Sequence, residues 1–297
     1  MTGLSPTPAR LAAAIWLGVC VLLSAFDARA LDPTESSELQ DMIAAGIKPQ
    51  TIQLNDAAIQ YYRHPEGKPG PHEFLVISRG DHMPIKVAAQ RFSMRSLQVG
   101  GTNAPNAIYV GYSGGEHCCY TAYLVWIERE LRFETIDLAD SDLAILAGGT
   151  GLRLSFRDMA FASWNASFAK SPAPTVLLAY DRDSRNYDVD SDDMRKPPPD
   201  AAALAQQAAA IRKTYEALPE GQLDPSLWAA MLDLIYSGNA DAARTLLDDA
   251  WPPNRPGEDK FLTDFSKQLW QGAIWRRFDL GVALGAEAAF PRISGKP

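Results

Sequence analysis

The densest group of reactive side chains lies in a glycine-rich segment, residues 111–121. It carries a hydroxyl at Ser113, an imidazole at His117 and two thiols at Cys118 and Cys119. Hydroxyl, imidazole and thiol groups serve as nucleophiles, bases, metal ligands and redox partners. The segment is therefore the first candidate for chemistry, and the elements on either side of it decide which chemistry is open to it.

Hydrolysis is one alternative, because residues 111–115 match the Gly-x-Ser-x-Gly pattern with Ser113 at its centre. That nucleophile elbow requires a strand, a sharp turn and then a helix. Residues 120–127 are β-branched and aromatic, which predicts a second strand in place of the helix. No histidine follows His117 in the chain to complete a triad in the usual order. We predict a glycine hairpin between two strands and assign no catalytic residue.

The two adjacent cysteines allow three states. Cys20 lies in the N-terminal leader, so Cys118 and Cys119 are the only thiols expected in the mature chain. A disulfide between neighbours is strained, since Cα atoms across a trans peptide are about 3.8 Å apart, below the usual disulfide range. The alternatives are buried thiols on opposite faces of a strand and a metal site shared with His117. An oxidising compartment favours the disulfide.

Residue spacing argues against a bound metal. Adjacent side chains on a strand diverge, and the chain offers no Cys-x-x-Cys pair to His117, Cys118 and Cys119. His64 and His72 flank a loop rich in proline and glycine, where we expect solvated side chains. The acidic runs near residues 181–193 lack the glycine and glutamate that an EF-type calcium loop needs. The sequence predicts no metal and no cofactor.

The N-terminus has the three parts of a secretory signal peptide. Arg10 precedes an apolar run over residues 11–23, and Ala28-Arg29-Ala30 supplies a small-residue cleavage site. The apolar run is shorter than the roughly 20 residues that span a bilayer. We expect cleavage after Ala30, export to the periplasm or beyond the cell, and no stable membrane anchor in the mature chain.

The amino-acid composition limits the classes of molecule that the protein can bind. The 297 residues carry 28 basic and 36 acidic side chains, a formal net charge of −8, and 46% are hydrophobic. Such a chain repels nucleic acid, because binding to phosphates needs a basic surface. The expected partner is instead a peptide, a protein or a small molecule, whose identity the sequence leaves open.

Strand patterns occupy most of the first two thirds of the chain, after a helix that we predict from Asp32 to Gly46 by its cap and its stop. Strands are predicted over residues 51–62, 73–78, 85–92, 107–112, 120–127 and 131–133, with a later hairpin over 175–180 and 187–189. Residues 120–127 are apolar on both alternating faces, which indicates a central strand covered on both sides. Residues 171–174, Ser-Pro-Ala-Pro, favour a sheet edge.

Helical patterns replace strands after Lys196-Pro197-Pro198-Pro199, a stiff polar linker. Leu204, Ala208, Ile211 and Tyr215 recur at helical spacing, and Asp224-Pro225 caps a second helix. Further helices are predicted over residues 243–250 and from 261 onward. We predict four parts: a signal peptide (1–30), a β-rich domain (31–195), the linker (196–199) and an α-helical domain (200–297).

Two motifs carry a resemblance to a known group of proteins. Ser113-Gly114-Gly115-Glu116-His117-Cys118-Cys119-Tyr120, followed by Phe161-Ala162-Ser163-Trp164-Asn165, resembles a motif pair of uncharacterised secreted bacterial proteins, which are distantly similar to VCBS and FG-GAP type β-domains. The resemblance implies an antiparallel, incomplete propeller-like or sandwich domain. Some members carry an acidic calcium loop between the motifs, but residues 147–151 here have no carboxylate. Residues 227–251 resemble a single tetratricopeptide hairpin, but solenoids need about three such units, so a helical bundle packed on the β-domain is favoured.

These observations predict an α+β protein, exported and non-catalytic, that binds a ligand or has a structural role. The predicted ligand-binding or structural loop comprises Ser113, Gly114, Gly115, His117 and Tyr120, stiffened by Cys118 and Cys119. Trp164 is a core candidate and an alternative aromatic contact for a ligand. A periplasmic enzyme or thiol redox protein that uses His117 and the cysteine pair is the competing hypothesis.

Overall fold

The computed structural model describes residues 31–54, 56–65, 72–97, 104–116, 119–128, 131–148 and 151–292. Its twelve described strands form three antiparallel sheets of four strands, joined by helices in a mixed α+β fold. Sheet 1 comprises β1 (Gln50–Leu54), β2 (Ala57–Tyr62), β3 (Glu73–Arg79) and β4 (Ile85–Ala89). Sheet 2 comprises β5 (Arg91–Leu97), β6 (Ala107–Tyr112), β7 (Tyr120–Ile127) and β8 (Leu131–Ala139). Sheet 3 comprises β9 (Ala144–Gly148), β10 (Gly151–Arg157), β11 (Thr175–Asp181) and β12 (Asn186–Val189).

Eight helices are described around the sheets. They are α1 (Pro33–Ala44), α2 (Ser191–Met194), α3 (Ala201–Glu216), α4 (Pro225–Tyr236), α5 (Ala240–Ala250), α6 (Glu258–Gln271), α7 (Ala273–Arg277) and α8 (Leu280–Ala283). A capping box begins α1, where Asp32 accepts from the Glu35 amide and Glu35 from the Asp32 amide. Asp224 caps α4 ahead of Pro225, as the sequence predicts. No described helix is long and apolar enough to cross a bilayer.

Every sheet is a meander in which strands adjacent in sequence are hydrogen-bonded neighbours. The predicted strands 107–112 and 120–127 are confirmed as β6 and β7, which pair from Ala107 with Val125 to Tyr112 with Tyr120. The predicted single strand 51–62 is wrong: it is the β1–β2 hairpin. The predicted strand 85–92 is also wrong, because β4 and the start of β5 belong to different sheets. The β9–β10 hairpin was not predicted.

Three apolar clusters lie between the sheets and the helices that pack on them. One face of sheet 1 packs on α1 through Leu39 and Met42, and its other face packs on sheet 2 through residues such as Ile59 and Val125. The opposite face of sheet 2 joins sheet 3 and the helices in a single large cluster. Trp126 of β7 contacts Tyr180 and Tyr187 of sheet 3, at ring centroid distances of 6.1 and 6.4 Å. Strand β7 is therefore covered on both faces, as predicted.

The large cluster includes side chains on both sides of the predicted linker at residues 196–199, such as Phe161 and Phe265, whose ring centroids are 5.0 Å apart. Arg277 of α7 adds a polar connection between helices and sheet 2. It donates to the Thr135 carbonyl and pairs with Glu134 Oε1 at 2.6 Å. The division into a β-rich and a helical domain stays a prediction.

Candidate functional site

The Ser113–Tyr120 segment is the connection between β6 and β7, as the hairpin prediction requires. The Ser113 amide donates to the Cys119 carbonyl at 2.9 Å, and the Tyr112 hydroxyl donates to the Gly115 carbonyl at 2.7 Å. Gly114 and Gly115 have φ angles of 92° and 125°, which side-chain-bearing residues rarely adopt. The rings of Tyr112 and Tyr120 lie 5.1 Å apart across the hairpin. Backbone turns therefore account for both glycines.

Ser113 lacks the setting of a nucleophile elbow. A strand, β7, follows the loop where the elbow requires a helix. The Ser113 hydroxyl donates to the Cys119 carbonyl at 3.3 Å. The described histidines, His64, His72 and His82, belong to sheet 1 connections. His117 lies outside the described residues, so its predicted role stays a prediction.

The cysteine pair falls across the limit of the described residues. Cys119 has a positive φ of 84°, an uncommon conformation for a residue with a side chain. Cys118 lies outside the described residues. The pairing of the two neighbours therefore stays a prediction.

His64 and His72 are only partly exposed, at 24% and 28% of their side-chain surface, whereas the sequence predicts solvated side chains. Both contact Glu38 of α1: His64 Nε2 lies 3.1 Å from Oε1, and His72 Nδ1 lies 2.7 Å from Oε2. The His72 amide also donates to Glu38 Oε1 at 3.2 Å. The loop thus joins α1 to sheet 1. No group of three metal-ligating side chains is placed to hold a metal among the described residues.

A cleft of about 370 Å³ lies between β11 and α4, a site that the sequence did not predict. Its walls include Thr175 and Leu177 of β11, Met194 of α2, and Leu232 and Tyr236 of α4. The segment Pro172–Pro174 enters β11 at its rim. Asp193 and Asp233 also line the cleft, paired with Arg153 and Lys196 respectively.

One half of β11 has a strand neighbour on one side only. Strand β12 pairs with β11 from Leu178 to Asp181, whereas β10 also pairs with the Thr175 end. The Pro174 carbonyl accepts from the Asp158 amide on the β10 side. Because successive backbone groups alternate in direction, the Thr175 amide and carbonyl face the cleft. The next group on that side, the Leu177 amide, donates to Met194 Sδ at 3.5 Å.

A buried carboxyl lies behind this cleft. Asp158 is 3% exposed, at the end of β10, and Tyr236 donates to its Oδ2 at 2.6 Å. The Ala160 amide donates to Asp158 Oδ1 at 2.9 Å. Burial raises the pKa of Asp158, and the two hydrogen bonds oppose that rise. Burial also raises the pKa of Tyr236 far above its usual value. The pair joins sheet 3 to α4.

Trp164 lies in a second cleft, of about 250 Å³, between the connection that follows β10 and the helices. Its half-buried indole contacts Phe161, Trp228, Phe261 and Phe265 at centroid distances of 5.2 to 6.1 Å. The rest of Trp164 lines the cleft. The core assignment and the ligand-contact assignment of Trp164 are thus compatible.

Comparisons with protein-family models, with curated proteins and with solved structures find no match for this chain. The resemblance to secreted bacterial proteins stays a prediction, as do export and cleavage after Ala30, which concern residues outside the described ranges.

Proposed function

We propose that this protein is an exported, non-catalytic binding protein that holds an extended peptide in the cleft between β11 and α4. The observation that carries the proposal is the half-open edge of β11, where Thr175 presents backbone hydrogen-bonding groups to a cleft. An extended peptide can add to such an edge as a further strand, with main-chain hydrogen bonds for affinity and pockets for alternate side chains.

The lining of the cleft selects the peptide's side chains. Leu177, Met194 and Leu232 supply apolar surface for one central aliphatic side chain. The rim carboxylates Asp193 and Asp233 already pair with Arg153 and Lys196. The proposed ligand is therefore an extended peptide with an aliphatic side chain at its centre.

A proline substitution tests the open edge directly. Thr175 is the first residue of β11, a position where strands tolerate proline. Thr175→Pro removes the amide that faces the cleft and keeps the β10 pairing through its neighbours. The matched control, Thr175→Val, keeps that amide.

Peptides selected from a random phage-displayed library on the wild-type protein should bind the Thr175→Val variant equally. They should bind Thr175→Pro about 5-fold more weakly, the equivalent of one hydrogen bond of about 1 kcal/mol. A library that yields no binder, or binders indifferent to the proline, would contradict the proposal. Far-ultraviolet circular dichroism of both variants verifies that the fold is retained.

For the loop at residues 113–120 we propose a structural role, with Cys118 and Cys119 joined as a vicinal disulfide that stiffens the hairpin. The left-handed backbone at Cys119, with a φ of 84°, supports this role. Intact mass before and after alkylation without reductant tests it. A thiol that alkylates without reduction in the unfolded protein would contradict the disulfide.

We also infer that the three sheets are blade-like units of an incomplete propeller. Each is a four-stranded meander, and sheets adjacent in sequence pack face to face. This packing is what propeller blades use.

A further inference from the structure

We propose that the cleft beside Trp164 is a second binding site, which takes the pyranose ring of a neutral sugar. The inference does not rest on the peptide cleft, because the two clefts have no lining residue in common.

The volume of the cleft limits the size of its ligand. At about 250 Å³ it is smaller than the roughly 300–1,000 Å³ of sites for drug-sized molecules. A ligand with a single ring fits this space.

Aromatic groups supply one part of the chemistry. Trp164, Trp251 and Phe261 line the cleft, and the Trp251 indole donates to the Arg255 carbonyl at 2.8 Å. Trp251 and Phe261 are almost fully buried. Their rings are therefore part of the core, and the half-buried Trp164 indole offers the apolar surface for the C–H face of a sugar.

Polar groups supply the other part. The amide side chains of Asn165 and Gln222 are exposed at the cleft, and each offers both donors and an acceptor. A sugar hydroxyl is also both donor and acceptor, so these amides match it.

The basic side chains that line the cleft already have hydrogen-bond or ion-pair partners. The Arg255 guanidinium donates to four backbone carbonyls of the 215–222 segment. Lys260 pairs with Asp264, one turn further along α6. An ionic ligand would have to compete with these contacts, whereas a neutral ligand would not. The cleft therefore favours an uncharged, hydroxylated molecule.

The backbone on either side of Trp164 adopts an unusual conformation. Ser163 and Asn165, on either side of it, both have positive φ angles, 58° and 51°. Such conformations cost free energy in residues with side chains and are concentrated at ligand sites. They also provide a matched pair of variants, because glycine adopts positive φ without cost.

Saturation-transfer NMR with the methyl glycosides of glucose, galactose and N-acetylglucosamine tests the site. We expect transfer to the ring protons of at least one glycoside. Asn165→Gly should weaken that binding about 5-fold, the equivalent of one hydrogen bond of about 1 kcal/mol. Ser163→Gly removes a side chain that does not line the cleft and should leave the affinity unchanged.

Absence of transfer from all three glycosides would overturn the proposal. Equal affinities in the Asn165→Gly and Ser163→Gly variants would also overturn it, since the sugar would then bind elsewhere. Methyl cellobioside distinguishes two sources of the pyranose ring, the end of a polysaccharide and a free sugar. Tighter binding than the methyl glucoside indicates the end of a polysaccharide, and equal binding indicates a free sugar.

Discussion

Removal of the Tyr236 hydroxyl is expected to destabilise the junction between sheet 3 and α4. Tyr236→Phe keeps the ring and its contact with Trp275, at a centroid distance of 5.5 Å. It deletes the 2.6 Å hydrogen bond to Asp158 Oδ2 and leaves a buried carboxyl oxygen without that donor. Hydrogen bonds to charged groups contribute about 1.5–3 kcal/mol, so we expect a loss of about 2 kcal/mol at a pH at which Asp158 is ionised.

The loss should depend on pH in a definite direction. Burial raises the pKa of Asp158 above its ordinary value of 3.8. The contribution of Asp158 to stability is therefore fully present below that value and decreases as the pH rises through the raised pKa. The Tyr236 hydrogen bond lowers this pKa, because it stabilises the charged carboxylate. Deleting it should thus cost more at neutral pH than in acid.

Urea unfolding followed by near-ultraviolet circular dichroism, at several pH values from about 4 to 8, measures both effects. Tyr187→Phe is the control, since Tyr187 is as buried as Tyr236 but donates to the neutral carbonyl of Leu152 at 3.2 Å. The control should lose about 1 kcal/mol at every pH. If Tyr236→Phe loses no more than Tyr187→Phe, or loses the same amount at both ends of the range, the reasoning is refuted.

Three further substitutions test the packing. Gly111→Ala should cost about 1–3 kcal/mol, because a Cβ there would lie 2.7 Å from Tyr123 Cε2 between sheets 1 and 2; an unchanged urea midpoint would contradict this. Arg277→Met should lower the free energy of unfolding by a similar amount, because it leaves the half-buried Glu134 without its 2.6 Å partner. A urea midpoint equal to that of the wild type would show that this ion pair does not stabilise the fold. Asp32→Ala should weaken α1 by about 1 kcal/mol through loss of its cap; hydrogen exchange should accelerate in α1 but not in sheet 3, and uniform acceleration would argue against a local effect.

Local signals in the sequence predicted most of the helices and the central hairpin. Asp32 and Asp224, each followed by proline, mark the starts of α1 and α4 because their carboxylates cap the first free amides. The apolar residues on both faces of β7 predicted its burial, because a strand covered by two layers needs no polar face.

Strand boundaries were missed where the turn between two strands is too short to interrupt the strand-like sequence pattern. Only Asn55 and Asp56 separate β1 from β2, and Gln90 alone separates β4 from β5. The segments on either side of each turn have strand composition. Periodicity therefore shows neither the hairpin between β1 and β2 nor the change of sheet between β4 and β5. The pair Asp158 and Tyr236, 78 residues apart, has no shared local pattern, and only tertiary packing brings it together.

The loop and the clefts differ in how far apart their residues lie in the sequence. In the loop at residues 113–120, glycine, histidine and cysteine are adjacent in the sequence, and the described glycines allow its backbone turns. The clefts are made of common residues from distant segments, as when Thr175 and Leu232 line the same cleft.

Substitutions in the loop and in the peptide cleft therefore have opposite expected effects on stability and on binding. Gly114→Ala, at a φ of 92°, should lower stability by about 1–2 kcal/mol and leave peptide affinity unchanged. Thr175→Pro should weaken peptide binding and leave the urea midpoint nearly unchanged, since the amide that it removes has no partner strand. Peptide binding that follows the loop variant would instead place recognition at the hairpin.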